Sequence, residues 1–467
     1  MGDSRDAMKV RRMLEARKLE LPFLETDLPL NLDLSRRDIL KIAGYGSLAA
    51  FIAACGGTTT TGGSTTGGTL SIGSYQSDPG AKAGLADVVT AFIAANGGTK
   101  VNVNTVSHNT FQDTINAYLQ GTPEDVFTWF SGHRMRFFAD KGLCTPIDDV
   151  WADVKSNYTE AFGTAVTGND GHVYAVPTDY YPWAVFYRKD VFAAKGYTVP
   201  TNWDDFKALC VKMKADGLSP IAMGQNDGWP AQGTFDIINL RLNGYDFHTK
   251  LLTGAEKWTD SKVTAVFKKW AEITPYYSAA PNGTTWQQAA DKLLRKQAGM
   301  YVLGLFVSDE FKATGSQADV DQLDFFPFPD LGTQYDAEKA LDAPIDVYMM
   351  SKKSPTLNKD IGQAKAFLKF MAKGSTQGLF FKQAPGSIPT GNDADPGTYS
   401  ALQKKAQQIV SSAKKITQYF DRDSRPDFAG ANGMQSFLKS FIANPSADPT
   451  KLQATMQQFW DSLPAEK

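Results

Sequence analysis

Histidine and cysteine are the scarce residues of this 467-residue chain: it has four of the first and three of the second. Three cysteines cannot build a disulfide framework, and no two stand at metal-ligand spacing. An excess of either charge is missing too, since 48 Lys+Arg face 50 Asp+Glu for a formal net charge of −2. A nucleic-acid-binding face needs a basic surplus, so no nucleic-acid partner is expected. The patterns G-x-S-x-G, H-E-x-x-H and G-x-x-x-x-G-K-[ST] are absent, which leaves hydrolase, zinc and nucleotide chemistry without a motif. Asp148-Asp149 and Asp204-Asp205 stand at expected helix starts, where capping accounts for them better than the paired carboxylates of a glycosidase. No enzymatic activity, cofactor or metal is expected. What the chain has in quantity is aromatic surface, with 29 Phe, 17 Tyr and 9 Trp. Its length predicts about two to three domains, each able to bury a full core.

The N-terminus carries an address. Ser35-Arg36-Arg37-Asp38-Ile39-Leu40-Lys41 precedes an apolar run from Ile42 to Ala54 of 13 residues, too short to cross a ~30 Å hydrocarbon layer as a helix. The arrangement resembles a bacterial twin-arginine export signal, with Ile39 where Phe is usual. Ile52-Ala53-Ala54-Cys55 resembles a lipoprotein processing box, in which the Cys55 thiol is the acylation site and the anchor to the membrane. Residues 1–54 are then a signal peptide with a long polar leader. Residues 55–68 hold only Gly, Thr and Ser after the cysteine and read as a flexible tether. Such a protein is exported and anchored to the outer face of the cytoplasmic membrane.

From Thr69 the chain alternates short strands and helices. Thr69–Gly73, Lys100–Val106 and Val126–Phe130 read as strands. The intervening stretches carry a helical apolar period, with Leu85, Val88 and Phe92 on one face. This order predicts an α/β, doubly wound sheet whose first strands are parallel, with ligands beyond the carboxyl ends of the strands. Further helices are expected over Trp203–Ala215 and Ser261–Trp270, and extended segments over Gly299–Gly304 and Ala343–Met350.

Three stretches in order carry a family resemblance: Pro123-Glu124-Asp125-Val126-Phe127-Thr128-Trp129-Phe130-Ser131-Gly132, Val176 to Phe192, and Gln297 to Gly304. They resemble the carbohydrate-type extracellular solute-binding proteins that feed ABC importers. The resemblance implies a periplasmic-binding-protein-like fold of two lobes around a ligand cleft, joined by hinge strands. Residues 69–178 and 298–343 are expected in the N-terminal lobe, and 179–297 and 344–467 in the C-terminal lobe. Chain crossings are expected near Thr178, Gln297 and Ala343. The implied function is capture of a sugar or oligosaccharide by cleft closure and delivery to a membrane permease, by a monomer.

Sugar recognition needs aromatic planes for ring faces and carboxylates, amides or guanidinium groups for hydroxyls. Trp129 stands where the family pattern places a stacking Trp, with Gly132 permitting close backbone approach after it. Tyr181 and Trp183 share one side of an extended crossing. Trp229 lies in the loop Gly224–Pro230, and Tyr75 follows the first strand. Asp346 and Asp421 are the polar candidates, although Asp421-Arg422-Asp423 also reads as a surface ion-pair cluster. His108, His133, His172 and His248 are scattered and read as solvated or capping residues. Ferric-iron binding through Tyr180-Tyr181 is an alternative on the same fold, and a peptide ligand is another.

Overall fold

The computed structural model describes residues 68–465; Arg36, Arg37, Cys55 and the leader lie outside them. Among the described residues no helix is long and apolar enough to cross a membrane. The first strands and helices form where the apolar pattern changes period. Strand β1 (Thr69–Ser74) leads into helix α1 (Pro79–Ala95), which buries Leu85, Val88 and Phe92 on one face and has Pro79 at its first turn, where a missing N–H costs nothing. Strand β2 (Lys100–Thr105), helix α2 (His108–Gln120), strand β3 (Val126–Phe130) and helix α3 (His133–Asp140) complete the opening. The strands β1, β2 and β3 are mutually parallel, as the alternating order requires. Their carboxyl ends therefore release Tyr75, His108 and Ser131 at one edge of the sheet.

The remaining strands are β4 (Ala175–Tyr180), β5 (Trp183–Arg188), β6 (Ser219–Ala222), β7 (Ala298–Gly304), β8 (Leu323–Phe326), β9 (Leu341–Asp342), β10 (Ile345–Met350), β11 (Ile388–Pro389) and β12 (Ile416–Thr417). They assemble into a six-stranded sheet in the order β11-β4-β10-β3-β1-β2, a four-stranded sheet β6-β7-β5-β8, and a small pair β12-β9. Each large sheet has its own hydrophobic core. The helices that matter below are α4 (Pro230–Leu252), α5 (Trp286–Leu294), α6 (Val307–Thr314), α7 (Leu357–Met371), α8 (Gly374–Phe381) and α9 (Phe420–Asp423).

The lobe boundaries differ from expectation. β7 pairs with β5 and β6, register Trp183 to Gly304, so residues 298–343 belong to the second lobe. β10 lies antiparallel between β3 and β4, and Phe367, Leu368, Phe380 and Phe381 of α7 and α8 pack into the first core. The crossings fall at Tyr181-Pro182, between β9 and β10, and beyond Ala384; none lies at Gln297. The cause is pairing: an all-buried strand such as β7 needs neighbours on both edges, and sequence pattern reveals a strand without revealing its partner. The helix starts differ in one detail. Asp204 and Asp205 lie in a first turn, where they favour the dipole, but Asn202 is the cap, accepting from the Asp205 N–H.

Candidate functional site

Both lobes contribute to one cavity of ≈ 400 Å³. The first lobe brings Tyr75 from the loop after β1 and His108 from the start of α2; the second brings Trp183, Trp229 and Trp286. Tyr181 and Asp346 come from the crossings, and Tyr419, Asp421 and Arg422 from the segment around α9. Six residues proposed from sequence thus line one cavity: Tyr75, Tyr181, Trp183, Trp229, Asp346 and Asp421.

Trp129 and Gly132 do not line the cavity. The Trp129 ring is fully buried in the first core, where it packs on Phe111, Phe130 and Phe138. The Arg134 guanidinium lies 5.0 Å from its ring centroid, so Trp129 supports a charged group instead of facing solvent. The reason is strand alternation: β3 is central, and its Trp points into the layer beneath the sheet. Gly132 caps α3 with φ 76°, and a methyl there would meet Asp423 and the Arg422 carbonyl at 3.1 and 3.2 Å. It is needed for a turn and for close passage of the second lobe.

The polar floor is Arg422 with Asp346 and Asp421, and a second buried arginine, Arg134, lies behind it. Arg422 Nη1 stands 2.8 Å from Asp346 Oδ1 and Nη2 donates to Tyr181 Oη at 2.9 Å, while its guanidinium lies over the Phe130 ring at 4.1 Å. Arg134 Nη1 pairs with Asp421 Oδ2 at 3.1 Å and donates to Gln112 Oε1 at 2.7 Å. The Asp421-Arg422-Asp423 run is therefore no surface cluster: Asp421 and Arg422 are 4% and 5% exposed. Burial raises the Asp346 carboxyl above its ordinary range, opposed by the Arg422 charge. Spacing gave no means of joining Arg422 to a carboxylate 76 residues away.

The aromatic wall is built by mutual support. Trp183 stacks on Tyr419 at 4.8 Å and 18°, and Tyr419 Oη donates to the Trp229 carbonyl. Phe306 braces Tyr181, Trp229 and Trp286 edge-on at 5.3, 5.8 and 5.2 Å. A methyl at Gly233 of α4 would fall 2.5 Å from the Trp183 ring, so glycine there lets the indole lie flat on the helix.

Two of the four histidines depart from the solvated reading. His108 stands edge-on to Tyr75 at 4.9 Å in the cavity wall, and burial with the Arg422 and Arg134 charges pushes its pKa down to about 3. His248 is fully buried in the second lobe. His172 is exposed and contacts Asp148; His133 opens α3. The sequence signal for His108 was its place just past a parallel strand.

The lobes touch directly across the cavity. Asn109 Nδ2 donates to Asp227 Oδ1 at 3.0 Å, and Trp229 Nε1 donates to Asn109 Oδ1 at 3.3 Å. Gln287 Nε2 donates to Asp78 Oδ1 at 3.1 Å. Asn109 thus latches the first lobe to the loop that carries Trp229. Asn109→Ala removes both bonds, one to a carboxylate, and is expected to shift the lobes toward opening and weaken ligand binding about tenfold. Titration calorimetry on the variant checks this; unchanged affinity would show that the latch does not bias closure.

Two cavity carboxyls give the fold a pH dependence. Burial, reinforced by Asp346, pushes Asp179 up to about 7, and burial pushes Asp309 up to about 8 against the Gly386 N–H that bonds it. The native state then holds protons that the unfolded chain has released above about pH 4, so stability falls as pH rises through that window. His108 acts oppositely but only below about pH 6.5, where the unfolded chain takes a proton the native ring refuses. The thermal midpoint of the ligand-free protein is therefore expected to be lower at about pH 8.5 than at about 6.5. Differential scanning calorimetry at both values decides it.

Residues 77–378 match the model of the bacterial extracellular solute-binding proteins. The chain belongs to that family. An uncharacterized ABC transporter extracellular-binding protein of Pyrococcus horikoshii is 28% identical over 300 residues, 63% of this chain and 65% of that one. The chain thus spans just under two thirds of that relative's length. The alpha-glucosides-binding periplasmic protein AglE of Rhizobium meliloti is 24% identical over 76% of this chain and 80% of its own. Among solved structures, the bacterial solute receptor AcbH fits with a TM-score of 0.80 at 41% identity, covering 85% of this chain and 99% of that one. AcbH is described as having an exclusive substrate preference for β-D-galactopyranose. In this solute-binding protein the two α/β lobes and the cleft between them are the family's fold.

Proposed function

We propose that this solute-binding protein captures a single pyranose sugar in the interlobe cavity and delivers it to the permease of an ABC importer, without altering it. The carrying observation is the lining: Tyr181, Trp183, Trp229 and Trp286 give aromatic walls to a cavity of ≈ 400 Å³ whose floor is the Asp346–Arg422 pair. Ring C–H faces pack on aromatic planes, and hydroxyls satisfy charged groups that closure removes from water. A volume at the lower end of ligand pockets accommodates a monosaccharide and leaves no room for a long oligosaccharide. The likeness to AcbH supports a galactopyranose as the first candidate. Export through the Arg36-Arg37 signal, a lipid anchor at Cys55 and a monomeric state complete the proposal.

Ferric binding fits poorly. Tyr181 Oη is bonded to the Arg422 guanidinium, a charge that opposes a trivalent cation, and Tyr180 packs instead on Phe162 at 5.6 Å. Calorimetric titration of the mature chain with D-galactose, D-glucose, raffinose and ferric citrate tests the reading. Saturable binding of a monosaccharide with a negative heat-capacity change is the expected result. Heat from raffinose or ferric citrate alone would overturn it.

A further inference from the structure

Away from the cavity, Asp236, His248 and Asp342 converge in the second lobe, and one donor atom of each lies within 4.8 Å of the other two. All three side chains are fully buried. Each is held by one atom and presents the other unpartnered. Asp236 Oδ2 accepts from the Phe420 N–H at 2.6 Å, Asp342 Oδ1 accepts from Thr417 Oγ1, and His248 Nδ1 meets Asn239 Nδ2 at 3.0 Å. Asp236 Oδ1, His248 Nε2 and Asp342 Oδ2 have no hydrogen-bond partner. Buried polar atoms are rarely left so, and three such atoms around one point make a place for a common occupant.

The backbone is bent to make this meeting possible. Asp236 and His248 lie twelve positions apart on α4, which would separate them by about 18 Å on a straight helix. Gly244, at φ 81°, breaks α4 between them, and His248 Nε2 comes to 3.8 Å from Asp236 Oδ1. Asp342 arrives from β9, the strand just before a crossing.

We propose that Asp236, His248 and Asp342 form a divalent-metal site that takes zinc. Two carboxylates and one cation of charge two cancel within a dry interior, whereas two bare carboxylates there repel. Arg241, whose positive charge acts on the Asp342 carboxylate, is itself bonded to the Ala340 carbonyl. Calcium requires six to eight oxygen ligands and magnesium a largely hydrated octahedron; an imidazole with two carboxylates suits zinc, with a fourth position for water. The outer partners Phe420, Thr417 and Asn239 orient the ligands as such sites need. Coordination through Nε2 requires a proton on Nδ1 and hence the Asn239 oxygen facing it. Turning the Asn239 and Asn243 amides gives up the 3.2 Å bond from Asn243 to the Lys262 carbonyl, a small loss beside metal-ligand bonds. The site would tie both arms of α4 to β9 and to the start of α9, behind the cavity floor.

The test uses the untagged full chain, stripped with chelator, reloaded with zinc or cobalt(II), and analysed for metal content, visible spectrum and thermal midpoint. About one equivalent of zinc, ligand-field bands with cobalt and a midpoint raised by about 3 °C at a hundredfold excess over Kd are expected. Uptake should be lost in Asp342→Asn and His248→Gln and kept in His172→Gln, which alters only an exposed imidazole. A folded native chain that takes up no zinc and gives no cobalt bands overturns the proposal and makes the occupant a water. Uptake that survives both variants overturns it as well. Should the variants fail to fold, the cobalt spectrum of the native chain decides alone, since bands of an O/N donor set support the site and their absence removes it.

Discussion

Arg422→Ala is expected to abolish measurable sugar binding and to lower the thermal midpoint by about 4–6 °C. The guanidinium is 5% exposed and neutralises Asp346 at 2.8 Å, so its removal strands a buried carboxylate. Breaking such a pair from one side costs about 3–5 kcal/mol. Unfolding roughly 400 residues carries about 0.84 kcal/mol/K of entropy, which converts that cost into the stated shift. The same change deletes the donor to Tyr181 and the cation over Phe130, so the cavity floor loses its charge and its shape together. Arg422→Lys keeps the charge without the fork and should recover part of the stability and little of the affinity. Scanning calorimetry and sugar titration read the two effects separately. Near-native affinity in Arg422→Ala would remove Arg422 from the site.

A pair of tryptophan substitutions separates support from contact. Trp129→Ala empties a fully buried position and is expected to cost about 3–5 kcal/mol of stability. Affinity per folded molecule should change far less, because the Trp129 ring lies behind the cavity lining, and the backbone carbonyl that accepts from Tyr75 Oη is kept in the variant. Trp229→Ala removes a cavity wall and the Asn109 latch partner. It is expected to weaken binding by about 2 kcal/mol or more, roughly thirtyfold. Folded fractions from circular dichroism and affinities from titration test the contrast. Equal losses of affinity in both variants would contradict the distinction between core and wall.

The α/β class, the parallel opening of the first sheet and the helix over Trp203–Ala215 were legible because periods of two and 3.6 are local properties. Six cavity residues were legible for a related reason: a loop after a strand, a crossing, or a Gly-rich turn can be recognised from its neighbours. Trp129 was misplaced because a motif fixes a residue's position along a strand and not the layer its side chain enters. Lobe membership of 298–343 was misplaced because β7 could have been completed by either sheet.

Amino-acid order by itself determined the secondary elements, the family signature and the supply of aromatic surface, all of which depend on near neighbours. Only the tertiary structure decided that Arg422 meets Asp346, that Asn109 reaches Trp229, and that His248 returns to Asp236 and Asp342. Those contacts join residues dozens of positions apart or across a broken helix. Their partners are chosen by burial, which leaves a charged or polar atom no alternative once water is gone.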